Sequence, residues 1–508
     1  MASEASDARD RAICLALCAL AAALTLPALG AQPLWQDEAQ TALVSRTILD
    51  GGLPRGTDGT NFFSQELGKE YAADHLWRWH TWLSFYVTAA SLALLGETAL
   101  AARLPFALAG ILCTALCYLT GRAWWRDRLA AGAGAALCAV SVPFLIFSRQ
   151  SRYYTLAAAL FLGGAWAYSA LGPGRTRRAG LALFACAFLL FHTHYVYCAT
   201  LLVGLAVHAA CFERGRLRTL ARVGVAVAVL NLPWVVWFAG VRPGGDGYLA
   251  SVLDAGKWLR FSLDYVGLLG RFLSPAWLLV PVVAVALRWR RGQALFALDA
   301  RLRSNVALVL VLCAASIALL AALSPLLFYR YLAPLAPPLF VLGGLLWATL
   351  FRMSRVLAVG AALALVATSA LPDHLRALAA RDVDGPIQGI LAFLRENADA
   401  EDVVAISYGD LPLKFHTRHR VIGGLTGEGR DELASARWII PRHHTNTRAD
   451  REWKEAFAAE IGRRPDAFVR HRLDAPDLPF ENREDPALHR FRPASPRAPR
   501  VVVFERVR

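Results

Sequence analysis

The chain alternates long apolar runs with short polar links for about 370 residues and then changes character. Apolar runs recur at roughly 12–30, 102–121, 129–147, 154–171, 180–194, 195–211, 223–240, 272–287, 304–324, 331–350 and 356–371. About 20 such residues suffice for a helix to cross a bilayer core. A further segment, 80–96, is apolar enough to compete with them. From about Pro372 the runs shorten. The pattern there predicts a helix at 384–397, strands at 402–407, 420–423 and 436–440, a turn at Gly409-Asp410, a helix at 449–461 and a last strand at 500–506. Strand-length apolar runs separated by helical patterns indicate a small α/β domain. The expectation is a polytopic α-helical membrane protein of about eleven spans with a small C-terminal α/β domain. Residues 1–371 form the membrane domain, with 31–100 as its first external loop carrying interfacial helices, and 372–508 form the soluble domain.

Charge decides the orientation. Seventeen arginines gather in five links, at 121–128, 172–179, 212–222, 288–303 and 352–355, against Asp127, Glu213 and Asp299. With eleven spans and an internal amino terminus, all five links face the cytoplasm. Counting 80–96 as a span would turn them all outward. The positive-inside bias therefore makes 80–96 an interfacial or re-entrant helix, and its Trp77, Trp79 and Trp82 suit the membrane interface. The first loop and the C-terminal domain then lie outside the cytoplasm. Residues 1–30 resemble a signal peptide in outline, but the run from Ala12 to Leu29 is long for one, so a retained first helix is expected.

Composition excludes other classes. The chain of 508 residues is 56% hydrophobic and only 18% charged, with a mean hydropathy of +0.40. Disorder, a coiled coil and a disulfide scaffold are ruled out. The net charge of +15 sits in the links between apolar runs and not on a soluble face, so a nucleic-acid partner is not expected. The only lysines are Lys69, Lys257, Lys414 and Lys454. All nine cysteines lie in or beside apolar runs, where they behave as small hydrophobes; neither a disulfide nor a zinc site is expected.

Four polar clusters fall on the outer side of this topology. Asp37 and Glu38 follow the first run; adjacent carboxylates point in different directions on a helix, so one can react while the other orients a cation or an Arg. On residue type alone they equally suit a helix start. Arg149, Arg152 and Tyr153 lie in Ser148-Arg149-Gln150-Ser151-Arg152-Tyr153. An outward Arg runs against the charge bias and fits an anionic ligand, a lipid headgroup or a carboxylate partner. His194 and Tyr195 lie in His192-Thr193-His194-Tyr195, where the i, i+2 spacing of the two histidines disfavours a shared metal. Arg330 and Tyr331 lie in Phe328-Tyr329-Arg330-Tyr331-Leu332-Ala333-Pro334.

Taken in order, these motifs resemble the GT-C superfamily of integral-membrane glycosyltransferases, near the bacterial protein O-mannosyltransferases and the lipid A aminoarabinose transferase. Trp35-Gln36-Asp37-Glu38-Ala39 is similar to the first-loop motif that carries the essential Asp. His80-Thr81-Trp82-Leu83 stands where many members have His-Pro-Pro-Leu, without the prolines. Ala101-Ala102-Arg103-Leu104-Pro105 resembles the second span, Ser148-Arg149-Gln150-Ser151-Arg152-Tyr153 the Ser-Arg-x-x-Arg-x-Tyr element, Thr193-His194-Tyr195 the Thr-His-Tyr element, and Arg330-Tyr331-Leu332-Ala333-Pro334 the late Arg-Tyr-Leu-x-Pro element. Thr155 stands where some members have a second acid. The resemblance covers about residues 30–350.

It implies a GT-C fold and a sugar donor carried on polyprenyl phosphate, transferred at the outer face of a bacterial plasma membrane to a hydroxyl on a lipid, glycan or protein. Asp37 would be the base, with Glu38 its helper. His80, Arg149, Arg152 and Arg330 would hold the donor phosphate, and Tyr153, His194, Tyr195 and Tyr331 would line the substrate site. The resemblance names no certain cofactor; a divalent cation beside Asp37 and Glu38 is the one candidate. Membrane lipids are the expected surroundings. The rival reading is a polytopic transporter or lipid flippase, which would place its charges near mid-membrane and repeat its halves. A third is a non-catalytic assembly factor.

Overall fold

The computed structural model describes residues 2–172, 176–239, 254–272, 275–292, 299–324, 326–380, 385–426, 429–443, 447–478 and 497–507. Its helices begin with α1 (Ala2–Thr25), α2 (Gln36–Gly51), α3 (Leu83–Leu95) and α4 (Ala99–Trp125). The series continues with α5 (Arg128–Val140), α6 (Val142–Ser148), α7 (Tyr154–Ser169), α8 (Thr176–Thr193), α9 (Tyr195–Phe212) and α10 (Leu217–Ala239). Next come α11 (Ala255–Leu269), α12 (Pro275–Arg290), α13 (Ala300–Leu323), α14 (Ala336–Met353), α15 (Arg355–Thr368) and α16 (Leu371–Ala380). The last part contains α17 (Pro386–Asn397), β1 (Val403–Ile406), α18 (Asp410–His416), β2 (Arg420–Gly423), β3 (Trp438–Ile440), α19 (Arg448–Arg463), β4 (Phe468–Pro476) and β5 (Arg500–Arg506). Contacts group these into two compact units, 1–27 with 106–375, and 28–105 with 376–508. The first loop thus clusters with the C-terminal region and not with the helices that follow it in sequence.

In the helical unit, polar links act as caps. Asp127 accepts from Leu129 N at the start of α5, Asp299 from Leu302 N at α13, and Asp254 from Lys257 N at α11. Each satisfies a first-turn amide that would otherwise have no partner. A helix occupies every expected span. Among the described residues five are long and apolar enough to cross a membrane, in α4, α9, α10, α13 and the 3-10 segment Tyr329–Leu335 continued by α14; a sixth counts if α5 and α6 are one span. Those two meet at 62°, where a straight span over 129–147 was expected. Pro143 has no N–H to continue the α5 hydrogen-bond ladder and is tolerated only in the first turn of a new helix, so the chain is extended at Ser141 and α6 starts there.

Small residues let the helices close. A Cβ on Gly134 of α5 would lie 2.9 Å from Phe340 O, and one on Gly344 of α14 would meet the α5 backbone. A Cβ on Gly110 would lie 2.7 Å from Ser148 Cβ, so α4 touches the end of α6 directly. Such close approach substitutes for the hydrophobic drive that lipid does not supply. Leu183, Leu201, Leu205, Leu308 and Leu312 fill the interior. Val225, Val229 and Val236 of α10 face outward, as lipid-facing residues do. Asp10 of α1 accepts from Tyr118, Arg122 and Arg128, so the amino-terminal end of α1 lies with the first basic link.

The second unit joins the first loop to a five-stranded sheet of order β2-β1-β3-β5-β4. β1 runs parallel to β2 and β3, and β5 antiparallel to β3 and β4. β2 and β5 fall on their expected residues, whereas β4 was not expected. The expected turn at Gly409-Asp410 is instead the entry to α18, with Gly409 in the left-handed region. The 13 residues of α3 span about 20 Å, too short for a bilayer core of about 30 Å. Trp77 is fully buried against Phe85, beside Leu34, Phe63 and Leu411; it is a core residue and not an interfacial one.

Candidate active site

The first-loop motif opens α2. Trp35 precedes the helix, and Asp37 and Glu38 lie in its first turn, where the helix dipole favours carboxylates. Their surroundings differ. Glu38 is fully buried and accepts from Arg103 Nε and Nη2, both at 2.7 Å, and from Trp35 N at 3.2 Å. Arg103 also donates to Leu29 O and Gln32 O through Nη1 and to Pro33 O through Nη2, each at 2.9 Å. All five N–H donors of the guanidinium are therefore used. The pair closes the 29–38 segment on itself. Asp37 stays half-buried. Burial, opposed by the Lys69 charge and assisted by that of Asp37, pushes the Glu66 carboxyl above its ordinary range.

The C-terminal residues of the same unit hold this motif. Gln36 Nε2 donates to Asp410 Oδ1 at 2.8 Å, and Lys414 Nζ donates to Asp410 Oδ2 at 2.7 Å and to Phe62 O at 2.9 Å. Asp410 and Lys414 are both buried; burial pushes the Lys414 amine down, against the pull of Asp410. Leu34 N donates to His416 Nε2 at 3.0 Å. Burial, and after it the charges of Arg103 and Arg395, press the His416 imidazole down to about 4, so it accepts as a neutral ring. Gln40 donates to Phe63 O and to Glu70, whose carboxyl is raised by burial although Ser64 donates to it. His80 stacks on Trp77 with ring centroids 6.3 Å apart.

In the helical unit the other expected residues separate into two places. Arg149 follows α6, and its Nη1 donates to Pro27 O at 2.8 Å and to Thr25 O. It caps the end of α1, which is a structural use of the charge. Arg152 is almost buried and lies 5.5 Å from the centre of the Tyr153 ring. Tyr153 packs against Tyr154 at 4.9 Å and His194 at 5.0 Å, and His194 against Tyr197 at 4.4 Å and Tyr331 at 6.4 Å. Arg330 lies 4.0 Å over the Phe328 ring, which meets Tyr331 with centroids 5.4 Å apart. Tyr195 stacks on His194 with ring centroids 5.7 Å apart. The structure thus gathers Arg152, Tyr153, His194 and Tyr331, with Arg330 beside Tyr331, while Arg149 donates to the end of α1. Two arginines among aromatic walls suit an anion with an apolar neighbour.

Several contributors were not picked out from sequence. Arg103 is a cation inside an apolar run, a signal that points to a partner without naming it. Tyr197 follows the Thr-His-Tyr motif by two residues. Asp410 and Lys414 show helical i, i+4 spacing, but their partner Gln36 lies 374 residues away in sequence. Among the described residues no group of three or more His, Cys, Asp or Glu is placed to hold a metal ion.

Solved structures share this fold over nearly the whole chain. ArnT from Cupriavidus metallidurans bound to undecaprenyl phosphate superposes with a TM-score of 0.59 at 16% identity, covering 96% of this chain and 97% of that one. The chain shares the fold of this ArnT. The apo form of the same ArnT gives a TM-score of 0.56 at 15% identity, over 99% of this chain and 98% of that one. The apo oligosaccharyltransferase of Archaeoglobus fulgidus gives 0.53 at 13%, over 91% and 69%. No family model matches the sequence, and no curated protein matches it. The likeness to ArnT is therefore one of fold, at sequence identities too low to show a family.

Proposed function

We propose that the protein is a glycosyltransferase that moves a sugar from a polyprenyl-phosphate carrier to a hydroxyl acceptor at the outer face of a plasma membrane. The observation that carries the reading is whole-length likeness in fold to a transferase whose structure holds undecaprenyl phosphate. The side chains supply the parts such a reaction needs. Asp37 takes the proton of the acceptor hydroxyl as its oxygen attacks the anomeric carbon. The bond from that carbon to the phosphate oxygen breaks, and polyprenyl phosphate leaves with the added negative charge. Arg152 and Arg330 offset that charge, with His80 a further donor; such stabilisation is commonly the largest catalytic contribution. A single displacement inverts the anomeric centre.

Three roles sharpen in this reading. Glu38 acts by holding Arg103 and so setting the first turn of α2. Arg149 leaves the phosphate set because it caps α1. A divalent cation beside Asp37 would draw on Asp37 and not on Glu38, whose two oxygens are both engaged by Arg103. Tyr153, His194 and Tyr331 form the aromatic wall, with Tyr195 at its edge. The acceptor class, lipid, glycan or protein, is left to experiment. The test is mass spectrometry of polyprenyl-phosphate sugars in a deletion strain, beside turnover of that donor by purified protein. Accumulation of one carrier-linked sugar, consumed by the wild-type protein, supports the proposal; an unchanged carrier pool and no turnover overturn it.

A further inference from the structure

A cavity of about 920 Å³ opens in the helical unit at the end that carries the basic links, between the last turns of α4 and α7, the end of α9 and the first turn of α13. The Arg152 and Tyr153 cluster is at the opposite end of α7, whose 16 residues span about 24 Å. Arg216, Arg301 and Arg303 line the cavity against one carboxylate, Glu213. Glu213 is already held by Ser304 Oγ at 2.7 Å and lies 3.7 Å from Arg216. Arg216 also packs over Tyr168, and Arg301 donates to Ala123 O. The Arg303 side chain is exposed and has no ion-pair or hydrogen-bond partner among the described residues.

Two features are not explained by topology. The positive-inside bias accounts for arginines at this end of the helices but not for three of them lining one interhelical cavity. Arg301 and Arg303 also sit in the first turn of α13, where the helix dipole opposes cations and a single acid, the N-cap Asp299, stands against the two of them. The walls further include Trp124 and Trp166, rings of the type that favour headgroup depth, and Phe212, which is half exposed.

We propose that this cavity binds the phosphodiester headgroup of an anionic phospholipid. The arginines would take the phosphate, with Arg303 as the main contact, while Trp124, Trp166 and Phe212 border the glycerol and the start of the acyl chains. The volume lies within the range of small-molecule sites. The site is separate from the proposed transferase chemistry and stands or falls without it.

The test uses the full-length protein, delipidated in detergent and titrated with phosphatidylglycerol, phosphatidylethanolamine or sodium phosphate. Native mass spectrometry counts retained lipid, and thermal unfolding reads stabilisation. Phosphatidylglycerol should be retained and should raise the midpoint, whereas phosphatidylethanolamine should do neither. Arg303→Glu should weaken phosphatidylglycerol binding at least about fivefold, and Arg301→Ala gives a second reading. Arg290→Ala, an exposed arginine outside the cavity walls, should change nothing. Equal retention of both lipids, an equal loss in Arg290→Ala, or full stabilisation by sodium phosphate alone would each overturn the proposal.

Discussion

Asp37 and Glu38 are neighbours with opposite environments, so neutralising each should fail in a different way. In Glu38→Gln the amide keeps one acceptor oxygen but turns an NH2 toward Arg103, which has only donors. One of the two 2.7 Å contacts becomes donor against donor, and a buried guanidinium loses its counter-charge. Removing one partner of a buried ion pair costs about 3–5 kcal/mol. At roughly 2–4 °C per kcal/mol for a body of 150–250 residues, the midpoint should fall by about 6–20 °C. Asp37→Asn keeps the shape of a half-buried side chain and should leave the midpoint near wild type. Its turnover should fall by about 10²–10⁴-fold, the worth of a general base, while donor binding persists. The assay pairs thermal unfolding in detergent with turnover of radiolabelled carrier-linked sugar at a temperature where both variants are folded. The double variant Glu38→Gln, Arg103→Met removes both charges and should cost less than the two single changes summed. Unchanged stability in Glu38→Gln, or strict additivity in the double variant, refutes the buried-pair argument. More than about a tenth of wild-type turnover in Asp37→Asn refutes the base.

Other tests follow from the same geometry. Arg152→Ala and Arg330→Ala should each weaken carrier-phosphate binding by about tenfold or more, as expected for a lost charge-assisted contact, whereas Arg149→Ala should lower stability and spare that binding; a binding assay that ranks Arg149 with the other two would restore it to the site. His416 is neutral when folded and titrates near 4, while in the unfolded chain it titrates near 6.5, so the unfolded state binds the extra proton first as pH falls. Stability contributed by this group should be complete above about pH 6.5 and decline toward pH 4, by about 3 kcal/mol at most, and His416→Gln should flatten that slope in pH-dependent unfolding. A cysteine placed by Arg430→Cys on a Cys-free background should react with an impermeant maleimide in intact cells; reaction only after permeabilisation would reverse the topology.

The eleven helical segments, β1, β2, β3 and β5, and the order of the polar motifs could all be read along the chain. Each rests on local information, a run of apolar residues or a period of side-chain burial that its own neighbours create. The bend between α5 and α6 was also local, because Pro143 carried it, although hydropathy alone read through it. Other features depend on long-range contacts. Glu38 and Arg103 are 65 residues apart and Gln36 and Asp410 are 374 apart, and nothing in either segment names the other. Arg149 and Arg152 look equivalent in sequence, yet one caps α1 and the other enters the aromatic cluster. Trp77 reads as an interfacial residue and lies in the core. An outward charge or a lone aromatic has several ways to be satisfied, and only the packed chain selects one, because the partner that removes it from water comes from another part of the sequence.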